Sequence, residues 1–385
     1  MKKIQTADRR THYVEMDALR GIAILGVLAS HTAAAWKNDA SAFEGPPPQL
    51  PLTVPFLGVD AMYLFLYGGL GVFLFFLLSG YLLAWSEDER MRRGTYNVRS
   101  YALRRALRIL PAYYVAIPII VALSPTNPSV KDVLLNLSFL WVILYPFQTN
   151  PVDGAFWSLT SEVVFYLLLP FVVVKMQRPW QRLTLLGLLV VLSSAVGYYI
   201  AQSGFSGQEL ESGTINLVYL SQLPGHLFFF MVGMLLRMMV ERLGDEKAKS
   251  RWRPLVASVL FLTSVSFFVT HPYLETPNIG EIIMVIAFFA SAVLGAPFLR
   301  GVLRWKPLAF VGVISYSMFL LNDMIVIIAT DIMQHARSWA ASEGTSLAVW
   351  AGFSAYALGV LIAVFIVSGL SYRYVESPFL RRKPT

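Results

Sequence analysis

Apolar residues in this chain come in blocks of about twenty, the length at which a helix crosses the hydrocarbon core of a bilayer. Short polar, basic or Pro-rich stretches separate them. The blocks predict helices over 17–36, 64–85, 105–123, 157–175, 183–201, 219–240, 253–270, 280–298, 308–330 and 348–370. Residues 131–147, KDVLLNLSFLWVILYPF, are apolar but short, and a full span there would put every later loop on the wrong side. They read as a re-entrant or interfacial helix on the outer side. The expected fold class is all-α: a polytopic transmembrane bundle of about ten spans plus that short helix. No fixed-period repeat or appended domain interrupts it, so 17–371 reads as a single unit between cytoplasmic tails at 1–16 and 372–385. A Pro-rich loop (45–55) and an acidic loop around Glu209 and Glu211 fall outside.

Composition agrees: 56% of the 385 residues are hydrophobic, against about 45–50% in soluble domains. The net charge of +8 acquires its meaning from placement. Of the 31 basic residues, only Lys37, Lys131 and Arg337 fall on the side opposite the N-terminus. That bias puts both termini in the cytoplasm and accounts for the charge without a nucleic-acid partner. The absence of cysteine excludes disulfides and thiolate metal ligands, and no metal site is expected. The basic start, apolar run and Ala33-Ala34-Ala35 are similar to a cleavable signal peptide. Asp17 and Arg20 interrupt that apolar run, and the span count uses the segment, so it reads as a retained first helix.

Charged groups inside a bilayer are costly and mark function by default. In MDALRGIAILGVLASH (16–31), Arg20 and His31 are eleven residues apart. On a helix that is about 20° from three full turns, so both share a face, about 16 Å apart along the axis. Snorkelling of Arg20 and a helix-to-helix hydrogen bond from His31 are the plainer explanations. A second polar site lies in FWSLTSEVVFYLLLP (156–170), where Glu162 has Ser158 and Tyr166 one turn away on either side. Helix geometry places Glu162 near the depth of His31, and such a pair suits general acid–base chemistry. Asn322 and Asp323 in SYSMFLLNDMI form a third buried polar point. His226 sits less deep and reads equally well as an interface residue. Arg105 and Arg108, with Arg104 beside them, share a helix face at a membrane entrance, where arginines set topology and also bind phosphates.

Taken in order, these motifs resemble the acyltransferase-3 family of integral membrane O-acyltransferases. They are MDALRGIAILGVLASH (16–31), GVFLFFLLSGYLL (71–83), Arg105-x-x-Arg108-x-x-Pro111, FWSLTSEVVFYLLLP (156–170), SYSMFLLND (315–323) and YRYVESP (372–378), covering nearly the whole chain. The resemblance implies transfer of an acyl group, acetyl or succinyl in type, from cytoplasmic acyl-CoA to a hydroxyl. The implied acceptor is a sugar or glycolipid of the bacterial envelope, and the implied location is the bacterial inner membrane. On that footing Arg20, Arg105 and Arg108 are expected to hold the donor's phosphates. His31 is expected to act as general base, with Glu162 orienting it as a triad carboxylate does. Ser79, Trp157, Ser158, Tyr166, Asn322 and Asp323 are candidate substrate contacts; for Ser79 and Trp157, packing is the competing role. Where this chain has Asn322 the family often has His, and an amide cannot titrate near neutral pH. No GxSxG, HExxH, P-loop or GxGxxG motif is present. The rival reading is a proton-coupled transporter or glycolipid flippase, which calls for repeat-related broken helices that the sequence does not display. A non-catalytic scaffold gives no reason for Arg20 and His31 to share a face.

Overall fold

The computed structural model describes residues 2–38, 61–124, 127–144, 150, 152–202, 223–245, 252–271 and 279–382. The 45–55 loop and the loop around Glu209 and Glu211 lie outside the described residues. Helix α1 (Lys2–Asn38) is followed by α2 (Ala61–Leu66), which runs through a 3-10 turn (Tyr67–Leu70) into α3 (Gly71–Arg92). Next come α4 (Val98–Leu123), the short α5 (Val130–Leu137) and α6 (Trp141–Leu144), α7 (Phe156–Lys175) and α8 (Pro179–Gln202). Then follow α9 (Leu223–Asp245), α10 (Arg253–Thr270), α11 (Ile279–Leu294), α12 (Pro297–Leu303), α13 (Lys306–Val313) and α14 (Ser315–Ile328). The chain ends with α15 (Thr330–Glu343), α16 (Ser346–Ser371), a π-helical turn (Tyr372–Glu376) and α17 (Ser377–Leu380). Eight helices are long and apolar enough to cross a membrane, or up to ten if each of two bent pairs is one span, among the described residues. The chain is a multi-pass, all-helical membrane protein. Apolar side chains such as Leu188, Val191, Leu262 and Ile366 stay exposed on the outer faces, where lipid rather than water is the solvent.

Helix α1 is the central element, packed by α3, α13 and α14. Lipid tails give little hydrophobic reward for helix association, so close packing of small residues supplies it. A Cβ at Gly312 would run into the Asp17 carbonyl, and one at Gly21 into the Leu308 carbonyl. Backbone therefore meets backbone where α13 crosses α1. Gly80 and Gly233 join α3 to α9 in the same way, each facing a carbonyl of the other helix. Ion pairs collect the charged helix ends into one basic end of the bundle. Arg104 meets Glu87 at 3.2 Å, and Arg182, 1% exposed, forks onto Asp88 with two 2.8 Å bonds.

Two expectations change. Residues 280–298 do not form one straight helix: α11 and α12 meet at 80°. Gly295 takes φ +84° there and Pro297 opens α12, so the left-handed glycine ends one helix and proline starts the next. Residues 308–330 also break, with 73° between α13 and α14 at Ile314. At the C-terminal end 372–380 continues as helix and buries Glu376 at 1% exposure. At the other end the helix already runs from Lys2. Of the 131–147 segment, the described residues form only the short α5 and α6, and 145–147 lie outside the described residues. A Ser129–Asp132 capping box opens α5, and reciprocal amide bonds tie Asn136 to Asn150 at 3.1 and 2.7 Å.

Candidate functional site

A cavity of about 250 Å³ opens between α1, α3, α4, α7 and α14. Its basic wall is Arg20, Arg105 and Arg108; Ser79, Ser158, Glu162 and Tyr166 supply the other polar lining of interest, and Phe76, Leu159 and Phe319 the apolar part. Arg20 is held from its own helix by Asp17, three residues earlier, at 2.7 Å. Arg108 lies 3.7 Å from Glu376 of the C-terminal π turn, which also accepts from Ser317 Oγ at 3.1 Å. Arg105 has no carboxylate partner among the described residues. Its guanidinium sits over the rings of Tyr101 and Tyr166 at 5.8 and 5.6 Å, a geometry that holds the group without neutralising it. On α7, the i, i+4 spacing brings the Tyr166 hydroxyl onto Glu162 as a donor, and Ser79 Oγ donates to the same carboxylate at 3.2 Å.

Helix α14 links this cavity to a second cluster. Ser315, Tyr316 and Phe319 line the cavity, and one turn past Phe319 the same helix presents Asp323. Asp323 Oδ1 lies 3.3 Å from His31 Nδ1, and its carboxylate accepts a bond from the Gly154 N–H. Asp153 approaches from the loop ahead of α7, 5% exposed, and accepts from the Ala155 N–H at 2.8 Å. Burial first, and the charge of Asp323 second, hold the Asp153 carboxyl well above the usual carboxylate range. The arrangement can take a proton at His31 and stabilise the resulting charge.

Of the residues singled out from sequence, Arg20, Ser79, Arg105, Arg108, Ser158, Glu162 and Tyr166 share the cavity. His31 and Asp323 form the second cluster. Glu162 is engaged by Ser79 and Tyr166, and the carboxylate beside His31 is Asp323, not Glu162. Trp157 turns away onto the His226 ring at 4.7 Å. Asn322 is fully buried and donates to the Phe319 carbonyl at 2.7 Å. Arg104 is committed to Glu87. His226 is an interior residue, 2% exposed, 2.7 Å from Ser161 Oγ. Ser161 Oγ also lies 3.1 Å from the Trp157 carbonyl, so the pair ties α9 to α7 inside the bundle. The sequence reading missed Asp153, Tyr316 and Glu376; Tyr316 and Glu376 carried a signal, inside SYSMFLLND and YRYVESP, and Asp153 carried none. Among the described residues no group of three or more His, Asp or Glu is arranged to hold a metal ion.

The sequence model of the acyltransferase-3 family, an acyltransferase domain, matches residues 13–372, so the chain belongs to that family. It is similar to a peptidoglycan O-acetyltransferase of Listeria monocytogenes, 24% identical over 98% of this chain and 57% of the relative. It is also similar to an acyltransferase of Streptomyces mycarofaciens, 24% identical over 84% of each chain. A nodulation protein of Rhizobium leguminosarum matches at 26% identity over 68% of this chain and 74% of its own length. The chain spans 57% of the length of the Listeria relative. No solved structure matches it.

Proposed function

We propose that this protein is a membrane O-acyltransferase. It moves an acyl group, acetyl or succinyl in type, from acyl-CoA to a hydroxyl of a glycan or glycolipid. The observation that carries this reading is the placement of two unlike sites along α1 and α14: an arginine-walled cavity, and one turn beyond it an imidazole beside a carboxylate. Family membership and the printed names of the relatives support it. Basic charge at one end supports a donor side that faces the cytoplasm, in a bacterial inner membrane.

In this reading the donor's diphosphate lies against Arg20, Arg105 and Arg108, of which Arg105 brings charge without a carboxylate. The pantetheine arm extends along α1 toward His31, a span of about 16 Å. His31 accepts the proton of the acceptor hydroxyl as its oxygen bonds to the thioester carbon. The carbon–sulfur bond then breaks, and the CoA thiolate leaves with the proton returned from the imidazolium. Asp323 orients the ring and stabilises its charge, the part expected of Glu162. Glu162, tied to Ser79 and Tyr166, shapes the cavity wall beside Arg105.

The two bent helix pairs favour a second reading. Broken spans mark transporters, and α11–α12 and α13–α14 are broken at 80° and 73°. They are consecutive in the chain, though, rather than placed at matching positions of two repeats. Inverted membrane vesicles with labelled acyl-CoA separate the readings. Acyl transfer with CoA release that disappears in His31→Ala is the expected result. Acceptor movement without CoA release would establish the transporter, and full transfer by a folded His31→Ala protein would overturn the base assignment.

A further inference from the structure

A second, wider basin opens at the basic end, about 840 Å³ in volume. Met16 and Trp85 line both it and the narrow cavity, so the two adjoin. Five arginines and three glutamates face it, a net charge of +2. Three of the arginines are matched. Arg92 pairs with Glu241, Arg304 with Glu15 at 2.8 Å, and Arg253 caps the end of α11 through the Leu294 and Val293 carbonyls at 3.0 and 3.3 Å. The other two, Arg237 and Arg300, have no carboxylate partner among the described residues. Arg237 lies over the Trp85 ring at 4.8 Å and the Tyr81 ring at 5.7 Å, and its Nε is buried without a hydrogen bond. Arg300 projects from α12, just past the bend at Gly295.

A basin with two unneutralised guanidinium groups and an aromatic edge suits an anion that carries an aromatic ring. Guanidinium forks recognise phosphate, and aromatic and guanidinium planes stack nucleobases. The basin is too wide and polar for an acyl chain, and its narrow neighbour is too small for a nucleotide and its arm together. We propose that the basin holds the adenosine 3′-phosphate end of a nucleotide thioester donor, with the 3′-phosphate on Arg237 and Arg300 and the base against Trp85. This rests on the acyl-CoA reading above and extends it: the diphosphate lies at the mouth of the narrow cavity, and the nucleoside fills the basin. The 80° bend between α11 and α12 then has a use, because α12 beyond it brings Arg300 to the wall of the basin that Arg237 also lines.

The test compares acetyl-CoA with 3′-dephospho-acetyl-CoA, using the full-length purified protein in lipid nanodiscs. The wild type should show a KM about tenfold or more lower for acetyl-CoA, the scale of one charge-assisted bond. Arg300→Ala and Arg237→Ala should collapse that preference, with Arg300→Lys retaining part of it. Adenosine 3′,5′-bisphosphate, titrated by calorimetry, should bind the wild type and bind Arg300→Ala about tenfold more weakly. Equal KM values for both donors in the wild type would overturn the proposal, as would variants that weaken both donors alike. Bisphosphate binding that depends on Arg300, without acyl transfer from either thioester, would keep the nucleotide site and remove the transferase reading. Transfer without bisphosphate binding would do the reverse.

Discussion

Asp323→Asn isolates the carboxylate beside His31. In the proposed step the imidazole gains a proton, and positive charge develops 3.3 Å from Asp323 Oδ1. At an effective dielectric near 20, unit charges at that separation attract by about 5 kcal/mol. The side chains are 27% and 23% exposed, so solvent screens the pair, and the asparagine carbonyl still accepts a hydrogen bond. Halving the figure leaves about 2–3 kcal/mol, a fall in kcat of about 30- to 150-fold. Asp323 lies outside the arginine-walled cavity, so KM for the donor should stay near its wild-type value. The assay is initial CoA release against donor concentration on purified protein, with melting curves to show that the variant folds. Asp323→Glu should recover part of kcat. A kcat within about threefold of wild type would refute the reasoning, and so would a raised donor KM with kcat unchanged.

Asp153→Asn should make stability less dependent on pH. The Asp153 carboxyl is held above its usual range in the fold, so its stabilisation is complete below about pH 4 and is lost as pH rises toward the folded value. The asparagine copies the protonated acid, so its melting temperature should gain on the wild type as pH rises above about 4; parallel curves would count against a raised Asp153. Arg182→Ala removes the fork that ties the start of α8 to Asp88 and the Met176 carbonyl, with bonds of 2.8 Å. Stranding a largely buried partner should cost about 3–5 kcal/mol, and Arg182→Met less. Thermal melting in detergent reads both, and an unchanged midpoint for Arg182→Ala would show that the pair is structurally idle.

The helices and most of the cavity wall were legible because each rests on a local rule. Twenty-residue apolar blocks mark spans, and polar residues inside them are too costly to be incidental. Arg20, Glu162 and the Arg105–Arg108 pair were found by that cost and by helical spacing. The partner of His31 was not. Depth along a span can be counted from sequence, but the rotation of one helix against another depends on packing, and Glu162 and Asp323 stand at similar counted depths. Asp153 was invisible for a related reason: it sits in a short loop before α7, where neither periodicity nor span position marks it. Glu376 was quoted within a motif, yet it lies past the last apolar block, between Arg373 and the basic run that begins at Arg381, so it read as part of a tail. Only the π-helical turn after α16 brings it inward to Arg108 and Ser317.

The break between α13 and α14 shows most clearly what a pattern of apolar residues leaves out. The run FVGVISYSMF (310–319) has no proline, and its glycine lies two residues before the break, so local propensity alone allows one straight helix through 308–330. Tertiary contact decides otherwise. Gly312 presses α13 against the α1 backbone at Asp17, which fixes α13 beside the residue that holds Arg20. The chain then turns by 73° and restarts at Ser315, so the first turn of α14 forms cavity wall. Two turns on, the same helix reaches His31, fourteen residues along α1 from the Gly312 contact at Asp17. One bent segment therefore touches α1 at both ends of the proposed reaction path. The stretch of α1 that carries Arg20 and His31 is flanked by two contacts, at Asp17 and at His31, from the bent segment between Gly312 and Asp323. The distance between the donor cavity and the imidazole is thus set by two helices braced against each other.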